Sequence, residues 1–166
     1  MLIAGKPHRT IWREPDGVVR LIDQTRLPHE LWITRLDRLH DATRAISGMQ
    51  VRGAPLIGAT AAYGLALALR EDPSDANLSA AAAALAATRP TAVNLAWALD
   101  RMVRIVSPWA ESQRAAAAFA EADRICDRDV DICEHIGKHG LEIIRACHEK
   151  HPGRAVNILT HCNAGW

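Results

Sequence analysis

This chain carries almost no surplus charge. Its 20 Lys and Arg against 19 Asp and Glu leave a net +1, so overall electrostatics give no case for nucleic acid or a membrane surface as a partner. The start lacks an apolar run of leader length. Met1 to Arg20 carries Lys6, Arg9, Arg13 and Glu14, and nothing there reads as secretory or transmembrane. Cytoplasm is the default expectation. Cysteine pairs are also missing. Cys126, Cys133, Cys147 and Cys162 form no CxxC motif, and Cys126, Cys133 and His135 do not have standard zinc spacing. The three cysteines within helical stretches are therefore expected to be small buried hydrophobes. There is no glycine-rich phosphate loop either, because Asn163-Ala164-Gly165 offers one glycine.

What is present is a globular composition. The 166 residues are 49% apolar and 23% charged, enough for one domain with a sizeable core. Glu14-Pro15-Asp16-Gly17 separates two β-rich runs, Thr10 to Trp12 and Val18 to Ile22. Pro-Asp-Gly is a turn signal, so a hairpin is expected. Leu31 to Thr34 supplies a third strand, which makes residues 1–35 a small antiparallel β cap. Asp37 is the expected N-cap of a helix to Ser47, with Gly48 ending it.

A helical domain is expected over 36–152. Ala54 to Arg70 is apolar nearly all round, as in a helix buried among other helices. An alanine-rich helix, Asn77 to Ala87, follows Pro73-Ser74-Asp75. Thr91 is the expected N-cap of another, marked by Val93, Trp97, Met102 and Val106. Glu111 to Lys150 reads as a long helical region broken or kinked near Gly137 and Gly140. His135 and His139 share a face but have no third ligand, so they read as surface or packing residues.

Two junctions share a grammar. Arg52-Gly53-Ala54-Pro55 and Arg89-Pro90-Thr91 each set an arginine just before a helix start. Free amides at a helix start attract anions, and arginine adds a bidentate donor. Together they outline a phosphate or carboxylate clamp. Each also has a plainer reading. The first is an ordinary loop-to-helix junction with a surface arginine. At the second, Arg89 caps the preceding helix, where cations are favoured.

Pro152-Gly153 ends the helical region, and 153–166 changes character. Val156 to Leu159 reads as a buried strand running into a loop with Cys162. In open α/β sheets ligands sit beyond the carboxyl ends of strands. A single strand cannot satisfy its own backbone, so the expectation is an N-terminal piece whose α/β second domain has barely begun.

Three blocks resemble the methylthioribose-1-phosphate isomerase family: Met49 to Gly64 (MQVRGAPLIGATAAYG), Arg89 to Met102 (RPTAVNLAWALDRM) and Ile158 to Gly165 (ILTHCNAG). Gln24 to Pro28 (QTRLP) and Asp129 to Gly140 (DVDICEHIGKHG) fit as well, and the blocks run in order across essentially the whole chain. The resemblance implies an aldose–ketose isomerase that converts 5-methylthioribose 1-phosphate to 5-methylthioribulose 1-phosphate in methionine salvage. It implies no metal or nucleotide cofactor, and a homodimer when full length. The implied fold is a mainly helical N-terminal domain with a small antiparallel β cap, followed by a Rossmann-like domain of which only the first strand lies here. Residue by residue, it makes Arg52, Gly53, Ala54 and Arg89 substrate-binding and Cys162 catalytic. It places a catalytic aspartate beyond Trp166, so this chain alone is expected to be inactive. Two relatives of the same superfamily set the alternatives: ribose-1,5-bisphosphate isomerase, and regulatory subunits of the translation-initiation guanine-nucleotide exchange factor, which are interaction proteins.

Overall fold

The computed structural model describes residues 2–161. It is mainly helical with a small antiparallel sheet. A short hairpin, β1 (Leu2–Ile3) with β2 (Lys6–Pro7), precedes a three-stranded sheet of β3 (Ile11–Arg13), β4 (Val19–Ile22) and β5 (Ile33–Leu36) in the order β3-β4-β5. The first hairpin was not legible beforehand. In the second, Trp12 lies opposite Arg20. The Gly17 amide donates to the Glu14 carbonyl at 2.9 Å with Gly17 at φ +85°, which is where the Pro-Asp-Gly signal needs glycine. Alternation puts Ile11, Val19, Leu21 and Leu36 into the core that the helices share.

Five α-helices follow among the described residues: α1 (Leu39–Ser47), α2 (Ala54–Glu71), α3 (Asp75–Thr88), α4 (Val93–Val106) and α5 (Glu111–Lys150). Two expected caps are corrected. Arg38, not Asp37, is the N-cap of α1. The cap is made from inside the helix, where the Asp41 carboxylate accepts from the Arg38 and Asp37 amides at 3.1 and 3.0 Å. Ala92, not Thr91, precedes α4 and makes no side-chain cap bond. At α3 the Ser74 hydroxyl does accept from the Asn77 amide, at 3.2 Å.

α2 is the axis of the bundle. Every residue from Ile57 to Leu69 is buried, as an all-round apolar helix requires. Small residues set its spacing. A Cβ on Gly64 would stand 2.7 Å from the Ala42 Cβ of α1 and 3.1 Å from Leu85 of α3, and one on Gly58 would stand 3.0 Å from the Asn94 carbonyl of α4. The Asn77 amide group donates to the Ala68 carbonyl at 3.0 Å. With residue 77 beside 68 and residue 85 beside 64, α3 runs antiparallel to α2. α4 turns back again, so α2 and α4 start at the same end.

Buried charges tie the bundle together. Arg114 donates to the carbonyls of Trp109, Pro73 and Ser107 and pairs with Asp75 at 2.8 Å. Glu121, 1% exposed, sits between Arg101 at 2.5 Å and Arg124 at 2.6 Å. Asp123 on α5 accepts from Tyr63 on α2 at 2.8 Å and pairs with Arg13 of β3. Burial, reinforced by Cys126 and Asp123, holds the Tyr63 hydroxyl well above the usual tyrosine range.

The structure divides into two compact units, up to Cys126 and from Asp127 on. α5 is continuous across 40 residues, so the expected break near Gly137 and Gly140 is absent. Nothing crowds either glycine, and about 1 kcal/mol apiece is too little to stop a helix of this length. Cys126 is buried, but Cys133 and Cys147 are exposed, which corrects the expectation that all three helical cysteines are interior. They lie on the later part of α5, whose surface is largely open. Val156 to Leu159 forms no ladder with any strand among the described residues, and Leu159 is 99% exposed. An isolated strand has no partner for its amides and carbonyls. No helix among the described residues is long and apolar enough to cross a membrane.

Candidate anion site at the paired helix starts

The turn joining α1 to α2 is built on one unusual residue. The Gln50 amide donates to the Ala45 carbonyl at 2.9 Å and the Met49 amide to Ile46 at 3.3 Å, the two bonds of a Schellman ending. That motif needs a left-handed residue after the cap. The helix does stop at Gly48, its C-cap, as expected, but Gly48 has φ −82° and Met49 takes the left-handed place at φ +60°. A side chain there costs roughly 1–2 kcal/mol. Val51 then buries completely and anchors the exit of the turn.

Arg52 and Gly53 follow at once. Gly53 has φ +93° and precedes α2 without any side-chain cap. Pro55 fills the first turn, where its missing N–H costs nothing. The start of α2 therefore leaves free amide donors beside the exposed Arg52 and Ala54. Arg89 stands at the other junction, as the C-cap of α3, with its carbonyl accepting from Ala92 at 3.0 Å. α4 also starts without a side-chain cap.

The packing of Gly58 on Asn94 brings the two uncapped starts side by side. Arg52, Gly53, Ala54 and Arg89 thus share one end of the bundle. Among the described residues, the side chains of Arg52 and Arg89 have no ion pair or hydrogen bond, a state they share with Arg104, Arg128, Arg145 and Arg154, whereas Arg13, Arg101, Arg114 and Arg124 are engaged. Arg89 does end α3, yet its guanidinium is not spent there. Cys162 lies outside the described residues. His135 and His139 are exposed, and the His135 ring nitrogen lies 2.6 Å from the Asp131 carbonyl.

Sequence reasoning missed the contact that supports this end from the cap. The short 3-10 turn Gln24–Arg26 lies against the α1–α2 turn, with the Gln24 amide donating to the Gln50 carbonyl at 3.0 Å. The signal available was the QTRLP block, which marked the place without giving its purpose.

Comparison with known proteins gives one answer at family level. Residues 50–166 match the model of the Initiation factor 2 subunit family. Over the whole chain, a methylthioribose-1-phosphate isomerase of Methylocella silvestris is 58% identical, and one of Methylobacterium nodulans is 59% identical. The chain spans 46% and 45% of their respective lengths. Among solved structures, 5-methylthioribose 1-phosphate isomerase from Pyrococcus horikoshii superposes with a TM-score of 0.75 at 34% identity, over 83% of this chain and 41% of that one. The delta subunit of translation initiation factor eIF-2B from A. fulgidus gives 0.68 at 35% identity, over 74% and 37%.

Proposed function

The chain belongs to the Initiation factor 2 subunit family, and from that premise we propose that it supplies the phosphate-gripping half of an aldose–ketose isomerase acting on 5-methylthioribose 1-phosphate. Arg52, with the free amides of Gly53 and Ala54, and Arg89 bind the substrate. Cys162 serves in the chemistry. The product is 5-methylthioribulose 1-phosphate, a step of methionine salvage, and the working form is a cytoplasmic homodimer with a Rossmann-like domain beginning near residue 153. The observation that supports this most is the pair of unengaged guanidiniums at two adjoining uncapped helix starts. Two fixed cations and a set of amide donors suit a dianionic phosphate.

The chemistry explains why such a grip is needed. An anomeric phosphate removes the free hemiacetal through which an ordinary sugar opens. The ring oxygen has to be protonated, the ring opened, and hydrogen moved from C2 to C1. An acid and a base with separated pKa values accomplish this. The resemblance implies Cys162 and an aspartate as the active-site groups, Cys162 as either a proton shuttle or a stabiliser of developing charge, of which we adopt the second. Cys162 stabilises developing charge in a dry pocket without a covalent bond to the sugar. A trapped Cys162–sugar adduct would count against that role.

A coupled isomerase assay tests the reading. The substrate is 5-methylthioribose 1-phosphate, offered to this chain alone and to this chain fused to the part of the Methylocella silvestris relative that it does not cover. Turnover by the fusion and not by the chain alone is expected. In that fusion Arg52→Ala should raise KM by about 10- to 100-fold, the equivalent of losing a hydrogen bond to a charged group. An unchanged KM and kcat would remove Arg52 from the site. The likeness to the A. fulgidus subunit favours a second reading, a non-catalytic interaction module. Failure of the fusion with both this substrate and ribose 1,5-bisphosphate would shift weight to it.

A further inference from the structure

We propose that Gln24 is a positioning residue: it locks the α1–α2 turn in the form that presents Arg52 and Gly53 to a phosphate-bearing ligand, an inference that rests on reading that turn as an anion site. Gln24 is the first residue of the 3-10 turn, which the Asp23 carboxylate caps by accepting from the Thr25 amide at 2.9 Å and the Thr25 hydroxyl at 2.6 Å. Asp23 is buried and its own amide donates to the Trp32 carbonyl at 2.9 Å, so Gln24 projects from a fixed base. It then makes two bonds to consecutive carbonyls of the other turn. Its main-chain amide donates to Gln50, and its side-chain Nε2 donates to Met49.

The residue it grips is the one that needs holding. Met49 is a non-glycine residue in the left-handed region, a conformation that survives only where the surroundings over-determine it. The helix side is fixed by the Schellman bonds to Ala45 and Ile46. Those bonds leave the carbonyls of Met49 and Gln50 facing away from the helix, and Gln24 takes both. Three residues on, Gly53 adopts φ +93° to start α2. Rotation about Met49 would carry through Gln50 and the buried Val51 to the direction of Arg52. Both bonds to the Met49 and Gln50 carbonyls come from one residue of the cap. The cap therefore has a task beyond covering the core, which is to set the shape of this loop.

The variant to make is Gln24→Met. It keeps length and removes the donor without adding a charge that would repel an anion by itself, and the main-chain bond to Gln50 survives. Thr25→Val is the control for a merely structural effect, since it removes a bond within the 3-10 turn and touches neither carbonyl. The probe is inorganic phosphate titrated into the 166-residue chain, read by NMR at the Gly53 and Ala54 amides and the Arg52 Nε–H. Backbone carbon shifts of Met49 report its conformation independently of any ligand. Gln24→Met should move Met49 out of left-handed shifts, displace the Gly53 amide, and weaken phosphate by about fivefold, the factor of one net hydrogen bond. Thr25→Val should change affinity less than twofold. Met49 and Gly53 resonances unmoved by Gln24→Met would overturn the proposal, as would an equal loss of affinity in both variants. If wild type gives no saturable response to phosphate while Gln24→Met still shifts Met49 and Gly53, the locking stands and the anion reading falls.

Discussion

Helix α5 is one helix in two environments. Up to Cys126 it presents Ala118, Phe119, Ala122 and Ile125 to a closed core. From Asp127 on, Ile132, Ile136 and Ile143 recur at helical spacing, yet Ile136 is 65% exposed and Ile143 is 67%. Apolar residues recur at helical spacing in both parts. Periodicity therefore names the face a helix prefers to bury and says nothing about whether a partner covers it.

The difference predicts unequal responses to the same substitution. Ile125 is 6% exposed, and Ile125→Ala should cost about 2–4 kcal/mol, as deletions in a packed core do. Ile136→Ala should change stability by less than about 0.5 kcal/mol in this chain. Urea unfolding of the two variants measures both. Equal costs would mean that the later face is covered in solution.

The same contrast explains what could be read from the sequence. The hairpin turn, the buried α2 and the existence of α3 were legible because each rests on local rules: Pro-Asp-Gly, an all-round apolar run, an alanine-rich run behind Pro73-Ser74-Asp75. The caps of α1 and α4 were not. Asp37 and Thr91 have the right chemistry, but each helix is capped one residue later, at Arg38 and Ala92. At the candidate site, Arg52 and Arg89 were legible as types and positions. Their pairing was expected from the shared grammar, but the packing that sets both junctions at one end of the bundle was not legible, because it depends on α3 reversing between two glycine-spaced contacts of α2. Met49 was hidden by its neighbour. A glycine beside a helix end invites the left-handed role, and here a residue without glycine's freedom takes it because contacts from the cap hold the turn.

Glycines sharpen the comparison at a smaller scale. Gly64→Ala would press a Cβ to 2.7 Å from Ala42, within two helices that cannot part without opening the core. The expected cost is about 1–3 kcal/mol, the range for overpacking. Gly137→Ala meets nothing within 4 Å and should stabilise the chain by up to about 1 kcal/mol through helix propensity alone. Denaturant midpoints of the pair would move in opposite directions. A loss in both would mean that the later stretch of α5 is not helical in solution.

The smallest effect concerns the packed side alone. Tyr63→Phe removes the donor to Asp123 but leaves that carboxylate paired with Arg13, so near neutral pH it should cost only about 1 kcal/mol. Its larger signature lies in alkali. Burial raises the Tyr63 pKa from its ordinary value of 10.0, so the folded state holds that proton more tightly than the unfolded state. Stability from this group is complete below pH 10 and is lost as pH rises toward the folded value. Between those limits wild type should lose about 1.4 kcal/mol per pH unit more than Tyr63→Phe does. Unfolding curves at pH 8, 10 and 11 measure the difference. Parallel losses in the two proteins would mean that the hydroxyl reaches water, and that the contact between α2 and Asp123 is looser than its 2.8 Å geometry requires.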